Sequence, residues 1–289
     1  METAGLCRHH PRAVAAALGR AQPPGAPARR AWHRRSGRSR PATDTCPGTG
    51  GAAMTRRILI TGASSGIGLA TARLFLAEGW QVGLMARRRD RLEAAADGHP
   101  RAIVLPGDVS DPASVRSVFD AFLRAAGGID VLFNNAGVFA APAPIDAMDL
   151  AEWDRAVSIN LTGMMLCARA AFAAMRAQGG GRIINNGSIS AHVPRPHALS
   201  YTVTKHAITG LTRQLALDGR DLNIACGQID IGNAESEIIA AIKARAPETP
   251  TMSVEDAARS VLHMASLPLS ANVLTMTVMA TGMPYVGRG

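Results

Sequence analysis

From residue 57 onward, short apolar runs alternate with longer stretches of helical period. RILIT (57–61), WQVGLMA (80–86), AIVLP (102–106), IDVLFNN (129–135), GRIINNGS (181–188), LNIACGQI (222–229) and NVLTMTVM (272–279) each read as a strand. Residues 66–78, 88–97, 111–126, 150–178 (two long helices), 201–218, 234–245 and 254–266 read as the helices between and after them. Strands nearly continuous in apolar residues belong in a parallel sheet covered on both faces. Right-handed crossovers then make the sheet doubly wound. The expectation is an α/β fold with helices on both faces of about seven parallel strands, in one domain over 54–289.

Composition supports a packed helix–sheet protein: apolar residues are 47% of 289 and aromatics only 4%, so small aliphatic side chains fill the core. No continuous apolar run approaches the roughly 20 residues of a membrane span, and no membrane partner is predicted. Cys7, Cys46, Cys167 and Cys226 are scattered without metal spacing, which suits a reduced, cytoplasmic compartment. The net charge of +9 is misleading as a nucleic-acid signal. Residues 1–53 hold nine arginines against Glu2 and Asp44, and so carry +7 of it. That segment is rich in Arg, Ala and Pro, lacks a sustained apolar period and is predicted to be a disordered extension. It reads as a transit peptide, as a basic arm, or, the reading favoured here, as upstream sequence joined by start-codon choice, since Met54 opens MTRRILITG directly into the first strand.

The first chemistry-bearing feature is ILITGASSGIGLATA, with glycines at 62, 66 and 68 where a strand turns into a helix. Gly62 permits a tight turn, while Gly66 and Gly68 let backbone N–H groups and the helix N-terminus approach a pyrophosphate. Its place after the first strand of a repeated strand–helix pattern is what gives this turn weight.

The spacing G-x-x-x-G-x-G resembles that of the short-chain dehydrogenase/reductase family, in its single-domain form with a Rossmann-type sheet. Four further features, in order, carry the resemblance: NNAG (134–137), Asn160 within SINLTG, Ser188, and Tyr201 with Lys205 as Y-x-x-x-K. Together they extend over essentially all of 54–289. The resemblance implies a nicotinamide dinucleotide cofactor held by Gly62, Ser64, Ser65, Gly66, Ile67 and Gly68. It also implies Asp108 toward the adenine amino group, Val109 beside the ring, and Asn134, Ala136 and Gly137 along the crevice. The second strand ends in Ala86-Arg87-Arg88, where an acidic residue would grip the ribose 2′-hydroxyl of NAD. A guanidinium there pairs with a 2′-phosphate, so Arg87 predicts NADP, with NAD the alternative. The family's sixth strand ends in Pro-Gly followed by a Thr. Aligning Cys226 with that proline keeps Gly227, puts Ile231 at the threonine and leaves the Ile229 backbone, or Asn233, to reach the carboxamide.

On a helix, Tyr201 and Lys205 share one face. A phenol is a poor base near neutrality, and an ammonium beside it favours the phenolate. Tyr201 is therefore expected as general acid/base, Ser188 as a donor to the substrate oxygen, and Lys205 also as a ligand of the nicotinamide ribose. Asn160 is expected to hold a relay water. Singly, each has a plain reading as packing or a surface contact; the ordered set carries the prediction. Loop 189–199, with His192, Arg195 and His197, and a lid at 232–252, with Glu235, Glu237, Lys243 and Arg245, are expected to choose a small-molecule carbonyl or alcohol substrate. Arg195 is read as a solvated loop charge before an anion ligand. No metal is predicted, because His192, His197 and His206 lack ligand spacing. The family's Ala-rich helices pair into homodimers or homotetramers. The rival of another class is a catalytically idle dinucleotide sensor, which need not keep all four catalytic residues.

Overall fold

The computed structural model describes residues 55–236, 239–240, 243–244 and 246–287. The 1–53 extension, Met54, Glu237 and Arg245 lie outside the described residues. Seven strands, β1 (Arg57–Thr61), β2 (Gln81–Ala86), β3 (Ala102–Pro106), β4 (Val131–Asn134), β5 (Gly181–Asn186), β6 (Ile224–Ile231) and β7 (Thr275–Val278), form one sheet in the order β3-β2-β1-β4-β5-β6-β7. Every pairing is parallel. Helices α1 (Gly66–Ala77), α2 (Arg89–Ala96), α3 (Pro112–Ala126), α4 (Leu150–Val157), α5 (Met164–Gln178), α6 (Leu199–Gly219) and α7 (Val254–Ser266) cover it.

The period of two along each strand divides the core into two layers. Ile58 and Ile60 point into one with Phe75, Leu84 and Val261, while Leu59 points into the other with Phe122, Met175 and Ile183. Because both faces are covered, β5 and β6 are buried at every position. Helix starts follow from capping: the Asp111 carboxylate accepts from Ala113 N–H and Ser114 N–H ahead of Pro112 at the first turn of α3. A six-residue π-helical turn, Ser158–Gly163, joins α4 to α5. The combined run Leu150–Gln178 is long enough, and contains an 18-residue stretch apolar enough (mean hydropathy 1.4), to pass as a membrane span. In this fold it is a sheet-covering helix, with Cys167, Ala171 and Met175 fully buried in the second layer.

Strand β6 departs from expectation by two residues. Arg220–Leu222 form a 3-10 turn and Asn223 takes φ 57°, so pairing begins only at Ile224 and runs on to Ile231. Gln228 and Asp230, polar and nearly inaccessible, lie inside the strand. The alignment of Cys226-Gly227 with a strand-ending pair is therefore wrong; the residues at that place are Ile231 and Gly232. Gly227 sits in mid-strand opposite Ile184. Its missing side chain accommodates the Val273 carbonyl, which an added Cβ would strike, and Met264 at 3.1 Å.

The order β3-β2-β1 followed by β4-β5-β6 reverses direction between β1 and β4, which opens a crevice at the carboxyl ends of the strands. Gly227→Ala is expected to lower unfolding free energy by about 1–3 kcal/mol through overpacking. A shifted urea midpoint at constant slope checks it; an unchanged midpoint would mean that the strand and the Val273 segment can part at little cost.

Candidate active site

Thr61 ends β1, and Gly62 turns the chain with φ 68°. A Cβ there would stand 3.0 Å from Ala136 Cα, so the turn lies directly on the chain leaving β4. Gly66 opens α1 with φ 52°, and among the described residues an added Cβ would meet Ser236 Cβ at 3.4 Å. Ser65 occupies the N-cap in extended conformation but makes no side-chain capping bond. Ser64, Ser65, Gly66 and Ile67 are all half-buried rather than enclosed. The first N–H groups of a helix have no partner within it, and this turn is not enclosed, which fits a dinucleotide pyrophosphate. Gly68 serves differently from expectation: a Cβ on it would strike the Gly62 carbonyl and approach Asn135 Nδ2 to 2.7 Å. It lets helix and strand pack closely rather than exposing backbone to a ligand.

At the end of β2, Arg87 and Arg88 are exposed. Asp108, after β3, accepts from Ser110 N–H at 2.9 Å and Ser110 Oγ–H at 2.7 Å. Burial raises its carboxyl, but the Ser110 hydrogen bonds and the Arg87 charge outweigh it, so it lies below the ordinary carboxylate value. Its contribution to stability is therefore present at neutral pH and is lost as pH falls through that lowered value. Arg87 and Asp108 are close enough to interact on the same side of the crevice. Val109 is 8% exposed, in the second core layer, and lies against Gly163. The capping of α3 belongs to Asp111, which frees Asp108 from that task.

A polar brace crosses the crevice floor. Thr61 Oγ1 accepts from Asn135 N–H and Ala136 N–H, both at 2.9 Å, and the Asn135 amide donates to the Thr61 carbonyl at 2.9 Å. Asn186, ending β5, donates to Asn135 Oδ1 at 2.8 Å. The Asn186 carbonyl in turn accepts from Lys205 Nζ at 2.6 Å. Asn135 and Asn186 escaped the sequence reading, which took Asn134 as the crevice residue. Asn134 is 1% exposed and turns inward, donating to the Met164 carbonyl at 2.7 Å. Ala136 and Gly137 follow the carboxyl end of β4, half-buried and exposed respectively.

Lys205 is 3% exposed and stands 5.5 Å above the Tyr201 ring centroid, one helical turn away. The Tyr201 ring is half-buried against Phe139, with centroids 4.9 Å apart. Ser188 is 3% exposed; its N–H donates to Asp230 Oδ1 at 2.9 Å, and its Oγ accepts from Ser190 N–H at 3.1 Å. With that lone pair engaged, the Ser188 hydroxyl hydrogen remains to be donated. Asn160 lies in the π-helical turn, wholly buried. Its Oδ1 accepts from Val138 N–H at 2.7 Å, and its amide donates to the Val138 carbonyl at 2.9 Å and toward Thr204 Oγ1 at 3.4 Å. Both amide hydrogens serve protein acceptors, so this side chain ties the loop after β4 to α6. Ile229, expected at the carboxamide, is fully buried and its carbonyl accepts from Gly187 N–H. Ile231, aligned with the threonine, is paired with Val278. Asn233 accepts from Arg195 at 2.8 Å and donates to the Pro250 carbonyl at 3.1 Å, so Arg195 joins two segments instead of standing alone in solvent.

Comparison with known proteins agrees with this geometry. The family model for short chain dehydrogenases matches residues 56–246. The chain is 36% identical over 198 residues to a cis-4-hydroxycyclohexanecarboxylate dehydrogenase of Sinomonas cyclohexanicum, covering 67% of this chain and 80% of that protein. It is 33% identical over 240 residues to sulfoacetaldehyde reductase 2 of Chromohalobacter salexigens, covering 79% and 95%. The fold matches a crystal structure of 3-ketoacyl-(acyl-carrier-protein) reductase from Brucella melitensis complexed with NADH, with TM-score 0.74 and 26% identity over 78% of this chain and 97% of that one.

Removing the brace has a defined consequence. Asn135→Ala leaves the Asn186 amide and the Thr61 carbonyl without these partners, and is expected to destabilise by about 1–3 kcal/mol. It should also speed hydrogen exchange at Ala136 N–H. Unchanged exchange there would show that the brace does not hold the turn.

Proposed function

The chain belongs to the short chain dehydrogenase family, and from that premise we propose an NADP-preferring oxidoreductase that interconverts a small carbonyl compound and its alcohol, with Tyr201 as general acid/base. The observation that carries this reading is the buried ammonium of Lys205. It is held on the Asn186 carbonyl, one helical turn from Tyr201, and hydrogen bonds join it through Asn186 and Asn135 to the glycine turn after β1. Burying a cation between a carbonyl and a ring face is costly, and packing alone does not call for it.

The residues suited to the dinucleotide are the turn Gly62, Ser64, Ser65, Gly66 and Ile67 for the pyrophosphate, Asp108 and Val109 for the adenine, and Ala136 and Gly137 along the crevice. Arg87 would pair with a 2′-phosphate, because Ala86 leaves no carboxylate to repel it. A bound nicotinamide supplies or accepts the hydride. The protein's own part is to place and charge the reacting atoms. Ser188 donates to the substrate oxygen, Tyr201 gives up or takes the proton there, and the Lys205 ammonium stabilises the phenolate left behind. Asn160 holds the Val138 segment beside this helix. Exposed Leu150, Met165, Val203 and Leu217 on α4, α5 and α6 support self-association through these helices. A cytoplasmic, membrane-free setting suits such chemistry.

Titrating NADPH and NADH into the protein, followed by fluorescence, should give tighter NADPH binding, and Arg87→Asp should reverse the order; tighter NADH binding by the unaltered protein would overturn the preference. Both curated relatives bear names of small acids, so the turnover panel should include aldehydes, ketones and alcohols with and without a carboxylate or sulfonate. Against the best of them, Tyr201→Phe should lower kcat by about 10²–10⁴-fold with cofactor affinity unchanged. A fully active variant would refute the role of Tyr201.

A further inference from the structure

Asp230 is a carboxylate in the interior of a strand whose neighbours Ile229 and Ile231 belong to the apolar core, and it has no solvent exposure. An unpaired carboxylate there would be expensive, and an apolar residue would suit β6 better. The structure surrounds it with donors instead. Oδ1 accepts from Ser188 N–H at 2.9 Å and from Gln228 Nε2 at 2.6 Å, while Oδ2 lies 2.8 Å from His192 Nε2. Gly187 is required for this approach, since a Cβ on it would strike Asp230 Oδ1. Gln228 is itself held by Thr209 Oγ1 at 3.1 Å and approached by Thr212 Oγ1 at 3.4 Å. Both threonines lie on α6, the helix that carries Tyr201 and Lys205. A continuous polar chain thus runs from the catalytic helix through Gln228 to Asp230 and ends on the backbone of Ser188.

We propose that Asp230 is a positioning residue for the hydride-transfer reaction: gripped by Gln228 and His192, it fixes the Ser188 N–H and so sets where the Ser188 hydroxyl meets the substrate oxygen. The proposal rests on the dehydrogenase reading above. The Ser190 N–H orients Ser188 Oγ from the other side, so the hydroxyl is fixed in position by Asp230 and in direction by Ser190. His192, its side chain 37% exposed, closes the solvent side of the same carboxylate. Local breaks of sequence rules of this kind concentrate at functional sites.

The test is a double-mutant cycle between Asp230→Leu and Ser188→Ala. With the best substrate of the panel, Asp230→Leu should lower kcat by about 10–100-fold, the cost of a small misplacement, with cofactor affinity unchanged. On the Ser188→Ala background it should cost nothing further. Asp230→Asn, which keeps an acceptor for the Ser188 N–H, should retain most of the activity and serves as the rescue. His192→Phe, at the solvent edge, should lower kcat severalfold and stands in if the leucine variant does not fold. Equal losses on both backgrounds, no loss in folded Asp230→Leu, or, in its place, full activity in His192→Phe would overturn the proposal. The Ser188 amide proton shift in labelled protein gives a substrate-free reading: it should move upfield in Asp230→Leu, or in His192→Phe where that variant stands in, and an unmoved signal overturns the brace. An unaltered protein that turns over nothing in the panel would count against the dehydrogenase reading alone.

Discussion

The hydrogen bonds that join Thr61, Asn135, Asn186 and Lys205 are the constraint on which this molecule's site depends. β1 and β4 stay paired up to Ile60 and Phe133, but the connections leaving them run to opposite sides where the winding order reverses. Side-chain amides tie the chain ends together there. They fix the glycine turn of β1 relative to β4 and β4 relative to β5, and the Lys205 ammonium on the Asn186 backbone carbonyl fixes β5 relative to α6. The glycine turn and the Tyr201–Lys205 pair, far apart in sequence, are therefore tied to one framework.

Much of this was legible in the chain. Apolar runs placed every strand of the sheet to within a few residues, most plainly those buried on both faces, which have no polar alternation to confuse the reading. The turn at 62–68 stood out by its glycines after the first strand, and Asn160, Ser188, Tyr201 and Lys205 stood out as an ordered set through the resemblance to the short-chain dehydrogenase/reductase family. What failed did so for one physical reason: polar residues buried for structural ends look like surface. Gln228 and Asp230 made the second half of β6 resemble a loop, which pulled the strand-end pair back onto Gly227. Asn134 and Asn135 are adjacent and alike, and only the pleat decides that the first turns to the Met164 carbonyl and the second to the crevice.

The same buried polar groups show how the fold and the chemistry are linked. Asn185 donates to Thr212 Oγ1 at 3.0 Å and lies 3.3 Å from the Asn134 amide, so polar contacts extend below the crevice from β4 to α6. Asn160 closes the π-helical turn on Val138, Asp230 closes β6 on Ser188, and Asn186 closes β5 on Lys205. Each is a fully or nearly buried polar residue, and the hydrogen bonds that it makes fix a neighbour in the site. Stability and geometry are enforced by the same contacts.

The most direct measurement is a crystal structure with an oxidised nicotinamide dinucleotide bound. The account predicts the pyrophosphate over the first turn of α1 at Ser65–Ile67, and the nicotinamide between Asn186 and the faces of Ser188, Tyr201 and Lys205, with the phenol oxygen turned toward it. A dinucleotide bound away from that turn, or a Tyr201 hydroxyl directed out of the crevice with the cofactor in place, would contradict it.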